Sequence, residues 1–297
     1  MWFSGNLVPQ REAAIRNRIQ IFTRSVLTIW LLASVSPADS TELKPEASQG
    51  FDRYSRLTEQ RMRGELAPGG AFLWVDRLIE PGRSEAYSRL QRGEVISERL
   101  RTPDPSGRIS TPGALIHHWV GTVFVPGASL RQVLALVQDY DHHAEYYKPE
   151  VEKSKTIERA GDDFKVFLRL RRKEIVTVVL DTEYSVHYHP LDAARAYSDS
   201  YSARISEVMH PDEPNEQARP SGEGEGFLWR LNSYWRFSEA NGGVYIQCEA
   251  ISLTRDIPTG LNWLIAPFVE SIPKESLEFT LLATRSAVMR GGTHASQ

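Results

Sequence analysis

Two long runs in the last third of the chain constrain its fold most. Phe227–Phe237 (FLWRLNSYWRF) and Val244–Thr254 (VYIQCEAISLT) are joined by Glu239-Ala-Asn-Gly-Gly243. Side chains of a strand alternate between two faces, and Asn-Gly is a strong signal for a tight hairpin turn. Phe227, Trp229, Leu231, Trp235 and Phe237 share one parity, and Val244, Ile246, Cys248 and Ala250 share one in the partner run. Such a hairpin needs an antiparallel sheet with one apolar face to bury. The opposite parity carries Arg230, Asn232, Tyr234, Arg236, Tyr245, Gln247, Glu249 and Ile251. Together with Arg169, Arg171, Arg204, Glu183 and Glu207, this set predicts cross-strand ion pairs on a solvated sheet face. Reversing the faces would put arginines in a pocket, which would need matching acids or ligand anions.

The preceding segments extend the sheet. Residues 115–125 read as a strand ending at Pro126-Gly127, and Ser129 caps a helix carrying Leu130, Val133, Leu134 and Val137. Strands are predicted over 151–158, 163–172, 174–188 and 196–208. Residues 209–225 form a Pro/Gly/Glu loop, read as a solvated insertion, with a gate over a cavity as the alternative. The chain closes in a helical stretch broken by Pro267 and Pro273, with Leu277, Leu281, Ala287 and Val288 near one face. This is an α+β order, in which a long amphipathic helix covers an antiparallel sheet. Ahead of it, 39–50 reads as a flexible linker. Phe51–Leu66 and Ser84–Glu98 read as helices of an N-terminal helical extension (51–111) on a main domain (112–290), with a disordered tail at 291–297.

Residues 1–38 carry four arginines against Glu12, a net +3, which leaves −6 on the rest. A basic stretch, the apolar run Ser25–Val35 and Ser36-Pro37-Ala38 follow in the order of a secretory signal peptide. The predicted destination is therefore periplasmic or secreted; the alternative is an uncleaved N-terminal membrane anchor. The acidic remainder offers no basis for nucleic-acid binding. With the single cysteine, Cys248, no intramolecular disulfide forms, and a buried thiol is expected.

The segment Val137–Ser154 (VQDYDHHAEYYKPEVEKS) holds Asp139-Tyr140 late in a short helix, then Tyr146, Pro149 and Val151-x-x-Ser154 at the start of a strand. With the opening strand ending in Pro-Gly and the C-terminal helix, this resembles the START-like (SRPBCC) superfamily of polyketide cyclases/aromatases, coenzyme Q-binding START proteins and plant pathogenesis-related proteins. The likeness covers roughly 112–290. It also extends to uncharacterised exported bacterial proteins. It implies a curved antiparallel sheet wrapped around the long terminal helix, with an apolar cavity between them.

Pockets of this kind are mostly apolar with a few placed polar groups. The lining candidates are Trp119, Tyr140, Tyr146, Phe164, Leu168, Tyr201, Trp229, Trp235, Cys248, Trp263 and Phe268; a closed core would show the same pattern. Asp139, Asp141, His142 and His143 lack the recurrence of a metal site and read as polar caps of a helix end. His117 and His118 point to opposite faces of a strand. No nucleophile elbow, HExxH, P-loop or dinucleotide fingerprint occurs, so no catalytic residue, metal or cofactor is assigned. The expected partner is a hydrophobic small molecule or lipid, with peripheral membrane contact compatible with that role. A cyclase-type enzyme using Tyr140, Tyr146 and Tyr184, and a closed module acting through its surface, are the competing readings.

Overall fold

The computed structural model describes residues 41–173, 177–256 and 262–294, with backbone alone at 262–270 and 292–294. The leader, and with it the expectation of export, lies outside the described residues. The elements are β1 (Thr41–Glu42), α1 (Pro45–Leu66), α2 (Gly82–Gln91), β2 (Ile96–Arg99), β3 (Ala114–Pro126), α3 (Leu130–Val137), α4 (His143–Tyr146), β4 (Val151–Ala160), β5 (Asp163–Lys173), β6 (Thr177–Pro190), β7 (Arg195–Met209), β8 (Gln217–Ala218), β9 (Glu223–Gly224), β10 (Arg230–Ala240), β11 (Gly243–Arg255) and α5 (Asn262–His294). The main sheet runs β2-β3-β11-β10-β7-β6-β5-β4, antiparallel throughout, and β8 adds to β7.

The hairpin read from the sequence is present, with Ala240 opposite Gly243 and Trp235 opposite Cys248. Helix α3 starts with a capping box: Ser129 Oγ accepts from the Gln132 N–H at 3.3 Å, and the Ser129 N–H donates to Gln132 Oε1 at 2.9 Å. Helix α5 lies against the inner face of the sheet. Gly121 of β3 permits its close approach, because a Cβ there would come 2.7 Å from Leu281 Cδ1, and Leu281 is fully buried. The expected break at Pro267 and Pro273 does not occur: α5 is one helix. A proline removes one backbone donor and crowds the preceding turn, which the flanking turns can absorb. The helix also runs through His294, past the expected start of a disordered tail.

The N-terminal region departs further from its sequence reading. The linker expected at 39–50 contains β1 and the first turn of α1, which begins at Pro45, a residue suited to the first helical position. Its small residues serve packing. Ala47 is fully buried, and a Cβ on Gly50 would come 2.2 Å from the Ser110 carbonyl oxygen. The predicted helix 84–98 ends at Gln91, and Ile96–Arg99 pairs instead with β3 as an edge strand. Ile96 packs with Phe124 and Tyr245, a burial that overrides helical propensity.

This extension covers much of the outer sheet face, which corrects the expectation of a solvated surface there. Phe51, Tyr54 and Met62 pack on Tyr234, Ile251 and Leu253, and Phe72, Val75 and Leu90 pack on Phe124 and Tyr245. Of the basic set, Arg204 does form an exposed cross-strand pair, with Glu183 at 2.6 Å. Arg169 pairs with Asp181 at 2.7 Å and with Glu216 of the 209–225 insertion, and Arg171 pairs with Glu152 and Asp212. Arg230 and Arg236 reach into α1, bonding Asp52 at 3.0 Å and Glu65 at 2.7 Å. Among the described residues no helix is long and apolar enough to cross a membrane.

Candidate functional site

Between the inner sheet face and α5 lies a cavity of about 400 Å³. The sheet supplies Val166, Leu168 and Leu170 from β5, Leu180, Tyr184, Val186 and Tyr188 from β6, and Leu231, Trp235 and Phe237 from β10. Helix α5 contributes Ile272, Pro273, Leu277 and Phe279, and the end of the insertion adds Phe227 and Leu228. That last segment is held by Glu207, whose carboxylate accepts the backbone N–H groups of Glu225, Gly226 and Phe227 at 2.8–3.1 Å. The insertion is thus pinned at both ends of its course, through Glu216 and Asp212 to β5 and through Glu207 beside the cavity.

One end of the cavity is aromatic. Tyr188 donates to the Val137 carbonyl at 3.1 Å, so Tyr140, 2.8 Å from the Tyr188 oxygen, donates to it. Thr284 donates to the Thr280 carbonyl at 2.8 Å, so Tyr147 donates to Thr284 at 3.0 Å. These phenol protons are committed within the protein. Burial pushes the Tyr147 and Tyr184 hydroxyls up to about 12 and raises those of Tyr140 and Tyr188. The phenols remain neutral near pH 7.

His143, at the same end, is buried 4.5 Å from Tyr140 (ring centroids), with Nε2 3.2 Å from the Val137 carbonyl oxygen. Burial holds it down to about 4, so it is neutral at pH 7. An unfolded chain binds this proton near 6.5, and the folded chain resists until about 4, so stability falls as the pH drops through that window. We predict a loss of up to about 3 kcal/mol from this one group between pH 7 and pH 4. Urea titrations across pH on wild type and His143→Gln check it; equal pH slopes for the two would count against it.

The cavity brings together Trp119, Tyr140, Leu168, Trp235 and Cys248 of the sequence-derived candidates. Cys248 is a buried thiol whose pKa burial raises. Other candidates lie elsewhere. Tyr146 is half-buried outside the cavity, donating to Asp139 at 2.8 Å, and its neighbour Tyr147 lines the cavity instead. Phe164 faces inward but packs behind the floor, against Tyr140 and Tyr188 at 5.4 and 5.6 Å. Tyr201 faces outward and donates to Glu59 of α1 at 3.2 Å. Trp229 joins the outer cluster with Phe51 and Tyr54, because β10 begins only at Arg230 and the alternation does not reach back to it. The side chains of Trp263 and Phe268 lie outside the described residues.

The polar residues singled out earlier are bonded locally. Asp139 holds His142 at 2.8 Å, and Asp141 accepts the Thr156 N–H at 2.7 Å. His117 faces inward, 3.0 Å from Thr254 Oγ1, whereas His118 faces α1. Sequence reasoning missed Tyr147, Tyr188 and a group of cavity-facing serines, Ser198, Ser200, Ser233 and Ser252. Strand parity carried that signal: Tyr188 shares a face with Tyr184, and Ser198 and Ser200 share one with buried Ala196.

The fold is a helix grip, an antiparallel sheet with a long C-terminal helix seated on its inner face. No protein-family model matches the chain, and a search of curated proteins found no match. Among solved structures it is similar to a STAR-related lipid transfer protein fragment from Xanthomonas axonopodis, at 15% identity and TM-score 0.41, over 65% of this chain and 98% of that one. It is similar to the Zhui aromatase/cyclase from a Streptomyces species at 14% identity and TM-score 0.42, over 59% and 95% of the two chains. Human STARD10 aligns at 10% identity and TM-score 0.40, over 74% and 85%.

Proposed function

We propose that this protein is an exported binder of a hydrophobic small molecule, held between the inner sheet face and α5. The observation that carries the binding role is the cavity of about 400 Å³, whose walls are chiefly aliphatic and aromatic. Its size falls in the usual range for small-molecule sites. Its lining leaves apolar surface uncovered that a filled core would bury, and a bound hydrophobic molecule would cover it. The leader-like residues 1–38 support export. Tyrosine donors committed to Val137, Tyr188 and Thr284 favour binding over proton-transfer catalysis.

Ala250 lies on the cavity wall, so Ala250→Phe fills the space from within the sheet. The neutral dye N-phenyl-1-naphthylamine is expected to bind the wild type, and Ala250→Phe to weaken it at least about tenfold while the protein still melts cooperatively. Organic extraction of the purified chain followed by mass spectrometry reports any ligand carried from the cell. An empty extract together with no dye binding would refute the binding role. N-terminal sequencing of protein from cell fractions tests export; an intact Met1 in the cytosolic fraction would contradict it.

A further inference from the structure

The inner face of β7, β10 and β11 is not uniformly apolar. Ser198, Ser200 and Ser252 line the cavity at 2%, 8% and 7% exposure, and Ser233 lines it beside them. None of the four hydroxyls makes a side-chain hydrogen bond to another described residue, and they face the cavity. Their register places them together. Ser200 is directly opposite Ser233, Ser198 is opposite Trp235, and Ser252, opposite Leu231, lies diagonal to Ser233. Directly opposed side chains have Cβ atoms about 5 Å apart and diagonal ones about 7–8 Å, so the four hydroxyls form one patch spanning three strands. The same row continues through Ala250 to Trp119, whose buried indole N–H also lacks a partner among the described residues.

Hydroxyls that open onto a cavity can exchange water for a ligand's hydrogen bonds, and a contiguous set of them on an otherwise apolar wall marks where a ligand's polar atoms would sit. The charge around the cavity narrows that molecule's chemistry. The charged side chains among the described lining are Glu150, Arg171 and Arg172, and all are paired: Arg172 with Glu150 and Glu275, Arg171 with Glu152 and Asp212. His143 is neutral, as shown above. An anionic ligand would therefore lie in an apolar wall without a free counter-charge among the described residues.

We propose that the cavity selects an uncharged ligand with hydroxyl or carbonyl oxygens on one side of an apolar body, bonded to the Ser198–Ser200–Ser233–Ser252 patch. This rests on the binding role above and adds its selectivity. The body can be a fused ring system or a single acyl chain.

The full chain is titrated with 1-pyrenebutanol, 1-butylpyrene and 1-pyrenebutyrate, which share one apolar body and differ in its polar end. A neutral protein hydrogen bond changes affinity about two- to tenfold. The alcohol is expected to bind at least about fivefold tighter than butylpyrene and tighter than the carboxylate. In Ser200→Ala/Ser233→Ala that preference disappears, butylpyrene binds as before, and the melting temperature is unchanged or higher, because the lost hydroxyls make no side-chain hydrogen bond to another described residue. Displacement of the alcohol by 1-palmitoylglycerol indicates an acyl-chain ligand, and retention of the alcohol indicates a ring system; either supports the uncharged class. Equal binding of all three probes, or equal loss of alcohol and butylpyrene in the variant, overturns the serine assignment alone. No binding by any probe overturns it together with the binding role.

Discussion

Glu249→Met is expected to cost about 3–5 kcal/mol of folding stability, the usual penalty for removing one member of a buried ionic network. Glu249 is 1% exposed on the outer face of β11, with His118 Nε2 at 2.7 Å and Arg61 of α1 on the same carboxylate. The Thr102 N–H donates to the Tyr54 hydroxyl at 2.8 Å, and that hydroxyl is hydrogen-bonded to His118 Nδ1 at 2.9 Å. Because the Glu249 carboxylate can only accept, His118 Nε2 donates to it and needs it as partner. Burial pushes the Glu249 carboxyl up, but the His118 hydrogen bond and the Arg61 and Arg236 charges outweigh it and hold the pKa below the usual value. Methionine would leave His118 Nε2 unpaired and Arg61 and Arg236 sharing Glu65. Denaturant titration measures the loss. Glu249→Gln keeps an acceptor and should lose distinctly less; equal losses would mean that shape, not charge and hydrogen bonding, sets the cost.

Removing residues 41–110 should leave the rest of the domain unable to fold in soluble form. Tyr234, Tyr245, Ile251, Leu253 and Phe124 are all buried on the outer sheet face, and the extension contributes fully buried Phe51, Val75 and Leu90 to the same contacts. At about 2 kcal/mol for each large side chain returned to water, the five sheet residues alone amount to roughly 10 kcal/mol. That is comparable to the whole stability of a typical domain. The extension is therefore expected to belong to the folding unit, as a preface packed on the main domain would. Expression of 111–297 against 41–297, with sedimentation and thermal melts, decides the matter; a soluble fragment with a cooperative melt would refute it.

Where a periodic run was long, the sequence could be read correctly. β10 and β11 alternate over more than ten residues, so Trp235 and Cys248 fall on the inner face as parity demands. Where parity ended or was not applied, reading by hydrophobicity failed. Trp229 stands one residue before its strand and turns to the opposite cluster. Tyr201 looked like a lining residue because it is aromatic, yet parity puts it outside, under α1, while serines occupy the inner positions of β7. That inversion follows from both faces being covered. The outer face is dry because α1 and the 72–90 segment lie on it, and the inner face is partly polar because it borders a cavity.

From the order of its elements, the Asp139–Ser154 segment and the alternation of its strands, the chain by itself determined an antiparallel sheet with a helix to cover it. These are local properties, set by side-chain direction and turn chemistry within a few residues. Only the tertiary structure decided what each face meets. The docking of α1 on β10 and β11, the partners of Arg236 and Glu249, and the void between sheet and α5 depend on contacts between residues more than a hundred positions apart. No local pattern encodes those distances, and a strand carries the same alternation whether its face borders water, another element or a cavity.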